Sequence, residues 1–168
     1  LFQIGYSIML INANWLKKNI KKENIKIIDA SWYLPNSNKN SLKEYYYSHI
    51  PNAVFFDINK ICKKNTSLPH MMPQKKYFES SVSKLGISAK DMIIIYCKDG
   101  IASSPRVWLT FKYFGHKNVY ILNGGFRAWR FVNGKHQSSC LKKTFKPYKS
   151  NRIKKNLIIT HKALRKVY

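Results

Sequence analysis

The stretch that decides the fold is MIIIYCKDGIASSPRVWLTFKYFG, residues 92–115. Its first part, MIIIYC (92–97), is apolar without alternation, as a strand covered on both faces must be. Its last part, SSPRVWLTFKYFG (103–115), has Pro105 near a first turn and Gly115 past an end, the asymmetry expected of a helix. A loop with one glycine joins the two. A buried strand feeding a helix through a short loop is the repeating unit of an open parallel sheet. Ligands of such sheets sit outside the carboxyl ends of the strands, and Cys97 stands at one of those ends.

Working outward, IKIIDA (25–30), NAVFFDI (52–58) and NVYILNGG (118–125) read as further strands. SLKEYYYSHIP (41–51), QKKYFESSVSKLGI (74–87) and GFRAWRFVNG (125–134) read as helices bounded by a serine cap, prolines and glycines. YLPNSNKNS (33–41) and KKNTSLPHMMPQ (63–74) are loops. Strands alternate with helices over short connections. The pattern predicts an α/β fold, an open parallel sheet of about five strands with helices on both faces. Residues 9–134 carry it. Met9 is a candidate start, which makes 1–8 an extension outside the domain. KHQSSCLKKTFKPYKSNRIKK (135–155) is polar and basic without period and is expected as a linker. NLIITHKALRKVY (156–168) reads as the opening of a second domain.

The chain has 168 residues, 45% hydrophobic and 14% aromatic, enough to pack one core and too apolar for wholesale disorder. No apolar run approaches the roughly 20 residues a membrane helix needs, and the opening LFQIGYSIMLI lacks the flanks of a signal peptide. The net charge is +24, yet the lysines are scattered along the chain with no nucleic-acid-binding signature, so no specific nucleic-acid partner is expected. Such a surface still steers small anions inward. Three widely spaced cysteines, Cys62, Cys97 and Cys140, form no CxxC pair. Zinc ribbons and dithiol redox motifs are thereby excluded, and free thiols fit a cytoplasmic protein. No metal or organic cofactor is implied.

CKDGIAS (97–103) has the makings of an anion cradle. If it wraps tightly, the backbone N–H groups of Lys98, Asp99, Gly100, Ile101, Ala102 and Ser103 converge, and the following helix adds the positive end of its dipole. Gly100 permits the necessary backbone angles. Those donors and Lys98 favour a thiolate at Cys97, which can attack an electrophilic sulfur and hold it as a persulfide. Asp99 opposes anions unless it points outward. The alternative is that Cys97 is a small apolar residue at a strand end. A cysteine phosphatase needs Cys-x5-Arg; that position holds Ser103 and the nearest arginine is Arg106, so phosphatase chemistry is discounted.

Several motifs together carry a resemblance: DASWYLP (29–35), YYYSHIPNAVFFDI (45–58), TSLPHMMP (66–73) and SSPRVWLTFKYFGHKNVYILNGGFRAW (103–129). Over about residues 10–134 the chain resembles the rhodanese superfamily, in particular the amino-terminal half of two-domain 3-mercaptopyruvate and thiosulfate sulfurtransferases. The second segment matches the family's aromatic-xxx-His-Ile-Pro-Gly-Ala pattern, with Asn52 where glycine is usual. In two-domain members the catalytic cysteine belongs to the carboxyl-terminal domain, and the amino-terminal one usually has an aspartate at the matching place. Here that place holds Cys97, followed by KDGIAS, similar to the active loop Cys-basic-x-Gly-Val-Thr.

The resemblance implies a sulfurtransferase with Cys97 as nucleophile, a small anionic sulfur donor such as 3-mercaptopyruvate or thiosulfate, and a thiol, cyanide or protein acceptor. Its alternative is a catalytically silent module that binds a partner. Asp57 and His70 match cleft-facing positions where a His/Asp arrangement serves the substrate, and Asp57 is equally placed to cap a turn. Arg106 is expected to support the loop or pair with a carboxylate. His49 is expected to be structural, near Asp29, and Trp108 and Trp129 to be core.

Overall fold

The β-branched runs become strands. In a computed structural model that describes residues 9–100, 102–138, 143–159 and 161–165, the elements follow in this order. They are β1 (Leu10–Ile11), α1 (Ala13–Asn19), β2 (Ile25–Asp29), α2 (Ser41–Tyr47), β3 (Ala53–Phe55), α3 (Lys75–Lys84), β4 (Met92–Tyr96), α4 (Ser104–Tyr113), β5 (Val119–Leu122) and α5 (Gly125–Phe131). A 3-10 turn at Lys155–Leu157 and a short α6 (His161–Leu164) come last. The residues 1–8 and Cys140 lie outside the described residues.

The five strands pair in the order β1-β5-β4-β2-β3, all parallel. The isoleucine run lies at the centre and points side chains both ways. Ile93 and Ile95 pack with Phe78 and Val82 of α3 and with Val107 and Phe111 of α4. Ile94 and Tyr96 pack on the other face with Leu16 of α1, Tyr45 of α2, and Phe126 and Trp129 of α5. Two buried layers explain why this strand shows no polar alternation. The expected α/β sheet of five strands is what the chain builds.

Two elements were not read from the sequence. β1 is two residues long and, among the described strands, pairs with β5. α1 follows it, capped by Asn12, whose Oδ1 accepts the Trp15 N–H at 2.8 Å.

The basic stretch expected as a linker packs on the domain over residues 143–154. Tyr148 is 3% exposed and meets Phe78 and Phe111 edge-on. Lys146 N–H donates to Ser83 O at 3.1 Å, Ser150 donates from both backbone and hydroxyl to Glu79, and Lys154 N–H donates to Tyr113 O at 2.8 Å. One aromatic anchor and four hydrogen bonds, three of them from the backbone of the stretch, turn a polar run into a strap across α3 and α4.

The strand order also fixes where a ligand can enter. β2 and β4 are neighbours, but the chain leaves β2 for α2 on one face and leaves β4 for α4 on the other. Two loops that diverge from adjacent strands open a crevice between them at the carboxyl edge, a topological switch point.

Candidate active site

Cys97 is the first residue beyond β4 and lies at that switch point. A crevice of about 380 Å³ opens there, lined by Ser31, Trp32, Tyr33 and Lys39 on the β2 side and by Cys97 to Asp99, Ala102 and Ser103 on the β4 side. The thiol is 2% exposed. Its Sγ lies 3.5 Å from Gly100 O and 3.6 Å from Asp99 O, so it donates into the carbonyls of its own loop.

The loop is fixed at both ends to the exit of β2. Lys98 N–H donates to Ser31 Oγ at 2.9 Å, and Ser103 Oγ–H donates to Ala30 O at 2.6 Å. Because the Ser103 hydroxyl is taken, no side chain caps α4; Pro105 brings no N–H, so Ser104 and Arg106 are the backbone donors of its first turn, and the positive end of this ten-residue helix lies next to the loop. Gly100 has φ +64°, a left-handed turn that glycine adopts without strain. Ile101 lies outside the described residues. On the far side Gly125, with φ +56°, lets α5 press against the loop, and Phe126 N–H donates to Cys97 O at 3.0 Å.

Beneath the loop sits a buried polar cluster. Asp29 is fully buried; its Oδ1 accepts from Ser31 N–H at 2.9 Å and Ser31 Oγ–H at 2.5 Å, while Oδ2 has no partner within bonding geometry among the described residues. Burial pushes the Asp29 carboxyl above the usual carboxylate range, against the pull of the Ser31 bonds and the Tyr96 hydroxyl. Ser31 therefore links Asp29 to the backbone of the residue after the thiol. His49 is buried and stacked on Tyr45 at 4.3 Å, with Nδ1 2.7 Å from Tyr45 O. Burial lowers its pKa, and Asp29 is close enough to raise it in part.

The expected helpers take up definite posts. Lys98 places its ammonium on Ser48 O and 4.0 Å over the Phe126 ring; burial lowers its pKa while Asp29 and Glu44 raise it. Asp99 is tied to Lys39 at 3.0 Å and to Arg127 at 3.6 Å. Its charge is thereby offset at the rim, which removes the main objection to an anion in the crevice.

The remaining candidates group around Trp32. His70, in a left-handed backbone with φ +53°, meets Trp32 edge-on at 5.0 Å and sets Nε2 2.8 Å from Asn59 Oδ1. Trp32 Nε1–H donates to the same Asn59 oxygen at 3.0 Å. Arg106 donates to His70 O, to Met72 Sδ at 3.3 Å and to Thr110 Oγ1 at 3.2 Å, clamping the 66–73 loop onto α4. Burial lowers the Arg106 pKa, and the neighbouring Cys62 acts the other way. Asp57 stands apart from His70, receiving the Lys60 N–H at 3.1 Å and pairing with Lys60 Nζ at 3.4 Å. It caps a turn and lines a smaller groove of about 240 Å³.

Asn59 is the residue that sequence reasoning missed. Its only signal was a polar side chain two places after Asp57. Trp108 donates Nε1–H to Val119 O at 3.0 Å, and Trp129 is 2% exposed, both in packing positions. Cys62 is buried, with Sγ 3.1 Å from Asn59 O. Among the described residues no cluster of His, Cys, Asp or Glu could hold a metal, and no helix is long and apolar enough to cross a membrane.

Known proteins place this geometry. The family profile of the rhodanese-like domain matches residues 12–131. The chain is 44% identical over 121 residues to thiosulfate/3-mercaptopyruvate sulfurtransferase 1, mitochondrial, of Arabidopsis thaliana, covering 72% of this chain and 32% of that protein. It is 40% identical over 154 residues to a probable 3-mercaptopyruvate sulfurtransferase of Schizosaccharomyces pombe, covering 90% and 51%. Its fold overlays the crystal structure of a 3-mercaptopyruvate sulfotransferase from Escherichia coli with TM-score 0.86 at 28% identity, covering 96% of this chain and 62% of that one. The chain thus spans about a third to a half of the length of these curated relatives.

Proposed function

The chain belongs to the rhodanese-like domain family, and from that premise we propose that Cys97 carries sulfane sulfur from a small anionic donor to a thiophilic acceptor. The observation that carries the reading is the position of Cys97 at the switch-point crevice, beside the uncapped start of α4 and with Asp99 offset by two cations. A donor anion entering the crevice would meet the positive end of α4 and a rim where Lys39 and Arg127 together outweigh Asp99.

With thiosulfate, the Cys97 thiolate attacks the outer sulfur, the S–S bond of the donor breaks, and sulfite leaves with the bonding pair. With 3-mercaptopyruvate, attack on the donor sulfur breaks its C–S bond, and the thiol proton of the donor ends on the carbon of released pyruvate. Either route leaves a Cys97 persulfide. A thiol, cyanide or protein acceptor then attacks its terminal sulfur and returns Cys97 as thiolate. Asp29 and Ser31 hold the loop through the Lys98 N–H, and Arg106 holds the His70 loop against the same wall.

A second reading, a partner-binding module without turnover, draws on two observations. The thiol faces two carbonyl oxygens, and the chain spans one domain's length of longer relatives. One experiment separates them. The purified chain is treated with thiosulfate or 3-mercaptopyruvate, the Cys97 peptide is weighed, and cyanide-dependent thiocyanate formation is compared with Cys97→Ser. A sulfur atom gained at Cys97, with turnover lost in the variant, supports sulfur transfer. No gain, or equal rates in both proteins, removes Cys97 from any mechanism and leaves the silent module.

A further inference from the structure

At the opposite end of the strands from Cys97, the amino-terminal edge of the sheet carries a groove of about 430 Å³. Lys21, Lys22 and Lys26 reach it from the turn before β2 and from β2 itself, and Lys143 and Lys146 reach it from the strap. Glu23 is the one carboxylate among the lining residues. The two walls are held in place by backbone. Lys146 N–H donates to Ser83 O, and Thr144 O lies 2.7 Å from where a Cβ of Gly86 would be, an approach that only glycine permits.

The groove therefore gathers like charge and keeps it. Lys26 is half-buried, and Lys146 lies near enough to disfavour its charge. Burial, then Lys146, lowers the Lys26 pKa, with Asp91 and Glu23 opposing. The chain holds 7 acidic residues against 31 lysines and arginines, and the acids paired with Lys39, Lys60 and Lys75 are engaged elsewhere. None of Lys21, Lys22, Lys26 or Lys146 is paired with a described carboxylate within 4.0 Å. Asp91, which acts on Lys26 alongside Glu23, turns Oδ2 to the Ser88 N–H at 2.7 Å. The carbonyl ends of α1 and α3 open on this edge, but backbone N–H groups already occupy Asn19 O, Val82 O and Ser83 O. Five lysines line the groove beside the single carboxylate of Glu23, an excess of positive charge that an anion with several oxygens relieves.

We propose that this groove is a binding site for a multiply charged phosphate, either an inorganic oligophosphate or the phosphate tail of a nucleotide. Its volume lies toward the lower end of the roughly 300–1,000 Å³ found for small-molecule sites, which suits a compact anion. Ile25, Val54 and Leu85 on its floor would flank a base if one is attached. The site is separate from the sulfur chemistry and stands whether or not Cys97 turns over.

The test is calorimetric titration of the whole chain with inorganic triphosphate and with ATP, at about 0.05 M and about 0.15 M salt. Wild type is compared with Lys26→Gln/Lys146→Gln and with Lys117→Gln/Lys155→Gln, which removes the same charge from exposed sites elsewhere. Saturable one-to-one binding is expected, weakened about tenfold or more by the first pair and within about twofold of wild type for the second. Equal affinity for the two ligands assigns the site to phosphate alone; ATP binding more than about tenfold tighter assigns it to a nucleotide. Absence of saturable binding, or equal loss in both double variants, overturns the proposal.

Discussion

Gly125 offers a sharp test of how the thiol loop is held. Its φ of +56° is left-handed, and a Cβ there would run into two backbone oxygens, Gly100 O and Cys97 O. Gly100 has the same backbone sign at φ +64°, but a Cβ there meets nothing within 4 Å. Alanine at either site incurs the left-handed strain, about 1–2 kcal/mol, and each also loses the same unfolded-state freedom, which cancels in the comparison. Only Gly125→Ala must also displace the loop backbone, an overpacking cost of about 1–3 kcal/mol. The expected losses are therefore about 1–2 kcal/mol for Gly100→Ala and about 2–5 kcal/mol for Gly125→Ala, read by urea unfolding. A displaced loop should also uncover the 2%-exposed thiol. Alkylation of the Cys97 peptide by iodoacetamide should then run about tenfold faster in Gly125→Ala. Equal stability losses and equal alkylation rates in the two variants would refute the close packing of α5 on the loop.

Tyr148→Ala should destabilise the domain by about 3–5 kcal/mol in the same urea assay, because the ring belongs to the α3–α4 core; a loss below about 1 kcal/mol would show that the strap is dispensable. His116 is buried, with Nε2 2.9 Å from Asp91 O and Nδ1 3.2 Å from Tyr148 Oη, and burial lowers its pKa from the ordinary 6.5. The unfolded chain then takes up the proton first, so stability should fall as pH drops below 6.5 until the folded ring titrates too. His116→Gln should flatten that part of the pH profile, and an unchanged slope would place the acid sensitivity elsewhere.

Much of the fold was legible because its signals are local. The run Ile93 to Ile95 announces a strand covered twice, and Pro105 with Gly115 brackets a helix. Cys97 could be placed at the sheet mouth for the same reason. What escaped notice depends on partners distant in sequence. β1 is too short for any period and exists because β5 pairs with it. Tyr148 looked like one aromatic in a lysine-rich run, and only the gap beside Phe78 and His116 makes it core. In the site, the His70 partner is Asn59, not Asp57, because the left-handed turn at His70 aims the ring at a different residue of the same segment. Lys98 was expected beside the thiol, and its long side chain instead finds Ser48 O and the Phe126 ring. Side-chain reach of that kind is invisible to spacing.

The crevice between β2 and β4 owes its existence to the directions in which two loops depart, and to no single side chain. Position 97 is consequently a socket whose occupant can be exchanged without rebuilding the walls. A lineage carrying this scaffold could acquire or discard a reactive group there by one codon change, while the surrounding architecture went on folding as before.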